Sequence, residues 1–197
     1  TNAIASTSPS TPYLLASSRV VNGYASLNIV PWNMSGSYEM QLVVIPPEGE
    51  AHMSPAVSVT IAPSHATQLV VAGFPTAGKS ETVLTPALRA ELRDVFGNLV
   101  PLNDTVVLVQ LTGTGTTGST SSAPLYGITQ RTSLNGVVTF DDLTVSVAGE
   151  YQLTLSVISS PSLQCLGCAA SAPSTLTISH SSPHHCTVTQ QPLFGQL

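Results

Sequence analysis

Two stretches of this chain, residues 20–44 and 133–157, carry one pattern at a spacing of 113 positions. Asn22-Gly23 falls on Asn135-Gly136, and Gly36-Ser37-Tyr38 falls on Gly149-Glu150-Tyr151. Met40, Leu42 and Val44 fall on Leu153, Leu155 and Val157. Further along the spacing grows to 117, where Val59-Thr60-Ile61 meets Leu176-Thr177-Ile178, and Val71 and Pro75 meet Val188 and Pro192. The four extra residues fall in the loop that holds Cys165 and Cys168. Agreement at so many positions in one order marks an internal repeat, the feature to settle before any other. The chain then reads as the C-terminal part of one repeat (1–61), one complete repeat (62–180) and the first strand of a further one (181–197). The first part lacks the strands that "TQLVV", "ALRAELRD" and "TVVLVQL" supply in the second. Half a sandwich leaves open edges and an uncovered apolar face. The expectation is that the polypeptide continues in both directions; the alternative is that another chain supplies the missing strands.

The repeat is built of strands. Long runs free of Gly and Pro are uncommon in a chain with 14 glycines and 15 prolines, which leaves short strands separated by turn signals. Hydrophobic residues make up 42% and they alternate, which a disordered chain does not do. Charged residues are only 8%, against about 25% in an average domain. The net charge of −5 and five scattered basic side chains argue against nucleic acid as a partner. No apolar run reaches the ~20 residues of a membrane span, and the N-terminal "TNAIASTSPSTP" has no secretory-signal character.

Within the complete repeat, residues 67–72 predict a first strand, kinked at Pro75 and Gly78. "ALRAELRD" alternates, with Leu88, Ala90 and Leu92 inward and Arg89, Glu91 and Arg93 outward. Asp94-Val95-Phe96-Gly97-Asn98 combines an Asx acceptor with a glycine suited to positive φ, so Asp94, Gly97 and Asn98 are assigned to a turn. "TVVLVQL" (105–111) reads as a central strand and 112–124 as a flexible loop. "LYGITQRTS" leads to Asn135-Gly136, a hairpin signal, after which "VVTFDDLTV" pairs back and Phe140 enters the core. Tyr151, just after Gly149, can bond its hydroxyl across a corner. "STLTI" (174–178) closes a seven-strand, all-β, Ig-like sandwich.

The order A-T-x-L-V-V-x-x-x-P … L-x-D-x-x-G-N … L-N-G-V-V-T-F-x-x-L-x-V … G-x-Y-x-L … L-T-I spans residues 66–178 and resembles the bacterial-type Ig-like repeats of invasin and intimin adhesins. Its sharpest marks are Asp94, Gly97-Asn98, Asn135-Gly136, Phe140, Leu143 and Tyr151; in the first repeat Leu27 and Val30 stand at the places of Phe140 and Leu143. The resemblance implies rod-forming extracellular modules without catalysis, of a kind also found in eukaryotic surface proteins, including green-algal gamete-adhesion and flagellar-hair (mastigoneme) proteins.

Several motifs carry potential chemistry. "GFPTAGKS" (73–80) fits the phosphate-loop pattern G-x-x-x-x-G-K-[ST]. Pro75 has no N–H to give a phosphate, and Glu81-Thr82-Val83-Leu84-Thr85-Pro86 is a poor helix start. Its counterpart "QQPLFGQL" keeps the proline and second glycine but not the lysine and serine, as a strand that breaks and switches sheets requires. Cys165-Leu166-Gly167-Cys168 reads as a disulfide closing a surface loop, or as bonds to neighbouring chains; a zinc site would need His184, His185 or Cys186, a sandwich length away. Asn33-Met34-Ser35 and Asn103-Asp104-Thr105 are glycosylation sequons. Asp141-Asp142 reads as solvated surface, because an alternating strand points its neighbours to opposite sides. No G-x-S-x-G elbow occurs, and no catalytic residue, metal ligand or cofactor is assigned. The functional expectation is a structural segment of a long extracellular filament, stalk or adhesin, on the cell surface or an appendage such as a flagellar hair. Its partners would be repeats of the same longer chain, other copies or a cell-surface partner, with glycans on the sequons. The alternative is a recognition module acting through the loops 112–124 and 159–173.

Overall fold

A computed structural model describes residues 2–7, 14–28, 32–115, 125–160, 165, 168 and 170–182. Among these there is no helix. The chain divides into two compact units, Thr1–Ala66 with Arg93–Val100, and Thr67–Leu92 with Pro101–Leu197.

The described strands of the first unit form one sheet. Its strands are β1 (Asn2–Thr7), β2 (Leu14–Arg19), β3 (Gly36–Ile45), β4 (His52–Met53) and β5 (Val57–Ile61). They run in the order β2-β1-β3, with β4 and β5 both paired to the far edge of β3.

The second unit is an Ig-like sandwich. Its strands are β6 (Gln68–Gly73), β7 (Ala77–Lys79), β8 (Leu88–Arg93), β9 (Val106–Gly115), β10 (Leu125–Tyr126), β11 (Gln130–Thr132), β12 (Val137–Phe140), β13 (Thr144–Val145), β14 (Gly149–Ser159) and β15 (Ser174–Ser179). One sheet is β12-β8-β6; the other is β11-β9-β14-β15-β7, with a two-stranded ladder of β10 and β13. Alternate residues of both sheets are withdrawn from solvent. Leu88, Ala90, Leu92, Val138 and Phe140 come from the first, and Val107, Val109, Tyr151, Leu153, Leu155, Leu176 and Ile178 from the second. That period of two is what a half-buried strand demands.

The glycine and proline of "GFPTAGKS" work as strand breakers. The chain leaves the three-stranded sheet after Gly73, passes Phe74-Pro75-Thr76, and joins β15 in parallel through Ala77–Lys79. A Cβ at Gly78 would lie 2.8 Å from Leu84 Cδ2 and 3.2 Å from Ile178 Cδ1, so the glycine lets this edge strand close on the core. No helix follows Ser80: Glu81 has φ 63°, and the Ser80 N–H is spent on Ser179 O at 2.9 Å. A phosphate loop needs those amides free and a helix behind them, and neither is present here.

Four details depart from the sequence expectation. β9 continues to Gly115, so Thr112–Gly115 are strand rather than loop, because β14 runs beside them as far as Gly149. Asn135-Gly136 forms a tight turn with φ 50° and 79°, closed by Leu134–Val137 hydrogen bonds of 2.9 and 3.0 Å. It is nevertheless not the tip of a long hairpin. β11 stays with β9 and β12 crosses to β8, so the turn carries the chain between the two sheets. The alternation sends Glu91 to solvent, yet it is only 8% exposed and paired with Arg89 at 3.0 Å. Finally, the first unit does contain a counterpart of "TVVLVQL": β1 flanks β3 as β9 flanks β14. Its Ser- and Ala-rich sequence, Asn2-Ala3-Ile4-Ala5-Ser6-Thr7, hides that equivalence.

The two units repeat one register. Gly36 faces Ile61 and Tyr38 faces Val59 in the first; Gly149 faces Ile178 and Tyr151 faces Leu176 in the second. Ser17 faces Ile4, as Gln130 faces Leu108. Asn22-Gly23 takes φ 52° and 82°, with reciprocal Val21–Tyr24 bonds of 2.8 and 3.0 Å, the same turn as Asn135-Gly136. Tyr38 donates its hydroxyl to Met34 O at 3.0 Å, and Tyr151 donates to Val147 O at 2.9 Å, each four residues back. This is the tyrosine corner of Ig-like sandwiches. Tyr151 is 1% exposed, and burial pushes its phenol up from its ordinary value. Tyr151→Phe keeps the ring and deletes one part-buried hydrogen bond. It is expected to lower the stability of the second unit by about 0.5–1.5 kcal/mol, read from the urea midpoint; a change within error would mean that the corner bond has no net value.

Candidate functional site

Among the described residues the densest polar constellation is built on the turn after β8. Asp94 ends the alternating strand, and Gly97 at φ 85° lets the chain reverse. The carboxylate of Asp94, 0% exposed, gathers the whole turn. Oδ1 accepts from the Phe96 N–H at 2.9 Å and the Asn98 N–H at 2.8 Å; Oδ2 accepts from Asn98 Nδ2 at 2.9 Å and the Ser64 N–H at 3.0 Å. Asn98 reaches further. Its Nδ2 donates to Asn33 O at 2.7 Å and its Oδ1 accepts from the Ser35 N–H at 3.0 Å. Three pieces of the first unit, the turn, the 62–65 segment and the Asn33–Ser35 loop, are thus joined by two side chains. That loop also supplies Met34 O to the Tyr38 hydroxyl, and Trp32 stacks on the Tyr38 ring with centroids 4.1 Å apart.

Burial by itself would raise the Asp94 pKa. The Asn98 side chain and the backbone N–H groups of Ser64, Asn98 and Phe96 outweigh it and hold the carboxyl below its ordinary value of 3.8. A carboxyl lowered in the folded state gives stability that is complete above the unfolded value and is lost as pH falls through the folded one. Asp94→Asn is therefore expected to be less stable than the parent near neutral pH, and to close that gap as pH drops well below 3.8. Urea midpoints at pH 6 and pH 2 check this; a gap that ignores pH would mean that the charge is not what organises the turn.

The remaining sequence candidates are dispersed. Phe140, 1% exposed, lies on β12 opposite Leu88, and Asn135 and Gly136 form the inter-sheet turn. Cys165 and Cys168 are joined as a disulfide, with Cys165 buried. Asn33 is exposed. Asn103 is exposed and its Oδ1 accepts from the Asn135 N–H at 2.7 Å. Thr105 of the same sequon is 0% exposed, with its hydroxyl 3.3 Å from that of Ser160. His184, His185 and Cys186, the strand expected over 181–197 from residue 183 onward, and much of the loops 112–124 and 159–173 lie outside the described residues.

Asp141 and Asp142 remain at the surface, with side chains 64% and 37% exposed, but they do not point apart. Arg131 Nη2 lies 2.7 Å from Asp141 Oδ1 and 3.0 Å from Asp142 Oδ1, and Asp142 Oδ2 accepts from the Ile128 N–H at 3.1 Å. β12 ends at Phe140, so the strand alternation that would send the two carboxylates apart no longer applies. The close Arg131 guanidinium, against burial and aided by the Ile128 N–H, holds Asp142 below its ordinary range. Nothing in the sequence joined Arg131 to this pair, nor Ser35 and Ser64 to Asp94; no short-range spacing links them.

Among the described residues no three His, Cys, Asp or Glu side chains converge as metal ligands. His52, His65 and His180 are exposed; the Ser64 hydroxyl lies 3.3 Å from His65 Nδ1, a contact between chain neighbours. No described helix is long and apolar enough to cross a membrane.

No family model matches the sequence, and no characterised protein matches it. Solved structures give distant likenesses. A β-glycosidase from Bacteroides vulgatus aligns over 89% of this chain at 13% identity with a TM-score of 0.43. A glycosyl hydrolase family 2 member from Bacteroides cellulosilyticus aligns over 90% at 13% identity and 0.41. This chain spans 21% of the length of each. The fibronectin(III)-like modules of Clostridium thermocellum CbhA align over 94% of this chain and 83% of their own length, at 13% identity and 0.32. At such scores these likenesses say nothing of activity. The sandwich assignment rests on the strand pairing itself, and no positive evidence of catalysis comes from the comparisons.

Proposed function

We propose that this chain is a non-catalytic structural segment of a long extracellular filament, stalk or adhesin built from tandem Ig-like repeats of the invasin and intimin type, on a cell surface or an appendage such as a flagellar hair. The observation that carries the reading is the recurrence of one set of parts in two units of one polypeptide: the same Asn-Gly turn, the same tyrosine corner and the same register of paired strands. Proteins that stack like units along a chain use them as quasi-one-dimensional material. The segment Ala62-Pro63-Ser64-His65 is short and proline-bearing, a composition of semi-rigid spacers. A single lysine and 8% charged residues in a Ser/Thr-rich chain suit a cell-surface or appendage setting.

Small-angle X-ray scattering on a polypeptide of four or more such repeats tests it. A rod with the cross-section of one sandwich, lengthening in proportion to repeat number, is the expected result. A compact globule, or a flexible coil of beads, would overturn it.

A further inference from the structure

The second unit closes its larger sheet with a parallel pair. β7 lies at the edge of that sheet and runs with β15, Ala77 beside Thr177, Gly78 beside Ile178 and Lys79 beside Ser179. The Thr177 N–H donates to Thr76 O at 3.1 Å, and the Ser80 N–H to Ser179 O at 2.9 Å. Two serine side chains add to the ladder. The Ser179 hydroxyl donates to Gly78 O at 3.1 Å, and Ser80 Oγ accepts from the Ser181 N–H at 3.0 Å. The inner side of the ladder is closed: Ser80, Leu84 and Ile178 are buried, and Leu84 and Ile178 pack so near Gly78 that a Cβ would press on both.

Both strands are anchored beyond the ladder. Downstream of β7 the Glu81 N–H donates to Val145 O at 2.9 Å and the Leu84 N–H to Leu143 O at 2.8 Å. β15 is held along its other edge by β14, from Ser174 to Ile178. A pull that enters the unit ahead of β7 and leaves it after β15 therefore loads the β7–β15 ladder before those anchors. Direction then decides how the ladder responds. Parallel strands pulled from the start of one and the end of the other slide along their length, so every bond between them is strained at once. Antiparallel neighbours pulled from one shared end open one bond at a time. β6 does not relieve the ladder: it belongs to the other sheet, and once it has left β8, Ala77–Lys79 still holds β15.

We infer that the β7–β15 ladder is the mechanical latch of the second unit, the contact that must shear before the sandwich can be pulled open along its chain. The inference rests on the reading of this chain as a structural segment and adds which bonds would resist tension. Scattering and pulling separate the two. A rod whose second unit has no latch overturns only this inference; a latched unit in a flexible chain overturns only that reading.

Single-molecule pulling at constant force tests it, on the full chain held by tags at its two ends. The second unit, the larger of the two, is recognised by its longer released length. Ser80→Ala combined with Ser179→Ala removes both side-chain bonds of the ladder and leaves its strands in place. The lifetime of the folded second unit under force is expected to shorten about tenfold or more. Tyr151→Phe weakens a corner that is still intact when the ladder yields, so there the lifetime should stay within about twofold of the parent's, in spite of the stability it costs. Ser179→Ala alone, at an exposed side chain, gives the same comparison with a smaller shortening should the double variant not fold. An unchanged lifetime in the serine variants would overturn the inference. So would an equal shortening by Tyr151→Phe, since the whole core and not one ladder would then set the resistance.

Discussion

Phe140→Ala is expected to destabilise the second unit by about 3–5 kcal/mol, the largest effect of any single truncation proposed for this chain. The side chain is 1% exposed and sits at the end of β12, directly across the ladder from Leu88, itself 1% exposed. Val138 and Ala90, the next inward pair, are 1% and 0% exposed. Backbone ladders hold both strands in place, so the core cannot collapse into the space a benzyl group leaves, and the cavity term adds to the lost transfer energy. A domain whose whole stability is about 5–15 kcal/mol would lose a large part of it, a fall in melting temperature on the order of 10–20 °C. Calorimetry checks this. The counterpart Leu27 is only half-buried, so Leu27→Ala should cost distinctly less. A Phe140→Ala loss below about 1 kcal/mol would remove Phe140 from the core.

Gly113→Ala should have the next largest effect, about 2–4 kcal/mol, from one added methyl group. Gly113 lies in β9 opposite Tyr151, with φ 149°, a conformation that side chains rarely adopt. A Cβ there would stand 2.5 Å from Glu150 O and 2.8 Å from Tyr151 Cα. Both are backbone atoms of a long strand pair, so neither can swing aside as a flexible side chain would. β9 and β14 would have to separate at the point where the tyrosine corner anchors the sandwich. The readout is the urea midpoint, together with faster amide exchange in Thr112–Gly115. Wild-type stability would mean that the strands approach less closely here than the geometry shows.

Gly113 also illustrates what a sequence reading passes over. "TGTGTTGST" reads as a low-complexity loop, yet its first four residues lie in β9. They are strand because β14 pairs with them over Gly149–Gln152, a segment some forty residues away. The Asn135-Gly136 turn is legible in its residues; that it joins two sheets is not. The turn residues fix local φ and ψ; which ladder each arm enters depends on whether β8 or β9 lies nearer. Asp94, Gly97 and Asn98 read as turn residues, and they form a turn. That the same two side chains would also hold Ser64, Asn33 and Ser35 had no signal within the turn itself.

The amino-acid sequence by itself determined that this chain is made of strands, that the strands recur, and where the chain turns. Alternation of period two, asparagine-glycine pairs and positive-φ glycines are short-range properties that a few consecutive residues carry whole. Only the tertiary structure decided which sheet each strand joins, that the broken strand at Gly73–Lys79 crosses to pair in parallel with β15, and that Arg131 lies between Asp141 and Asp142. It also showed that β1 takes the place of a strand expected to be missing. Those outcomes turn on hydrogen-bond partners far apart in the chain. A ladder accepts any backbone of suitable shape, so its choice of neighbour is settled by packing of the whole and leaves little trace in local spelling.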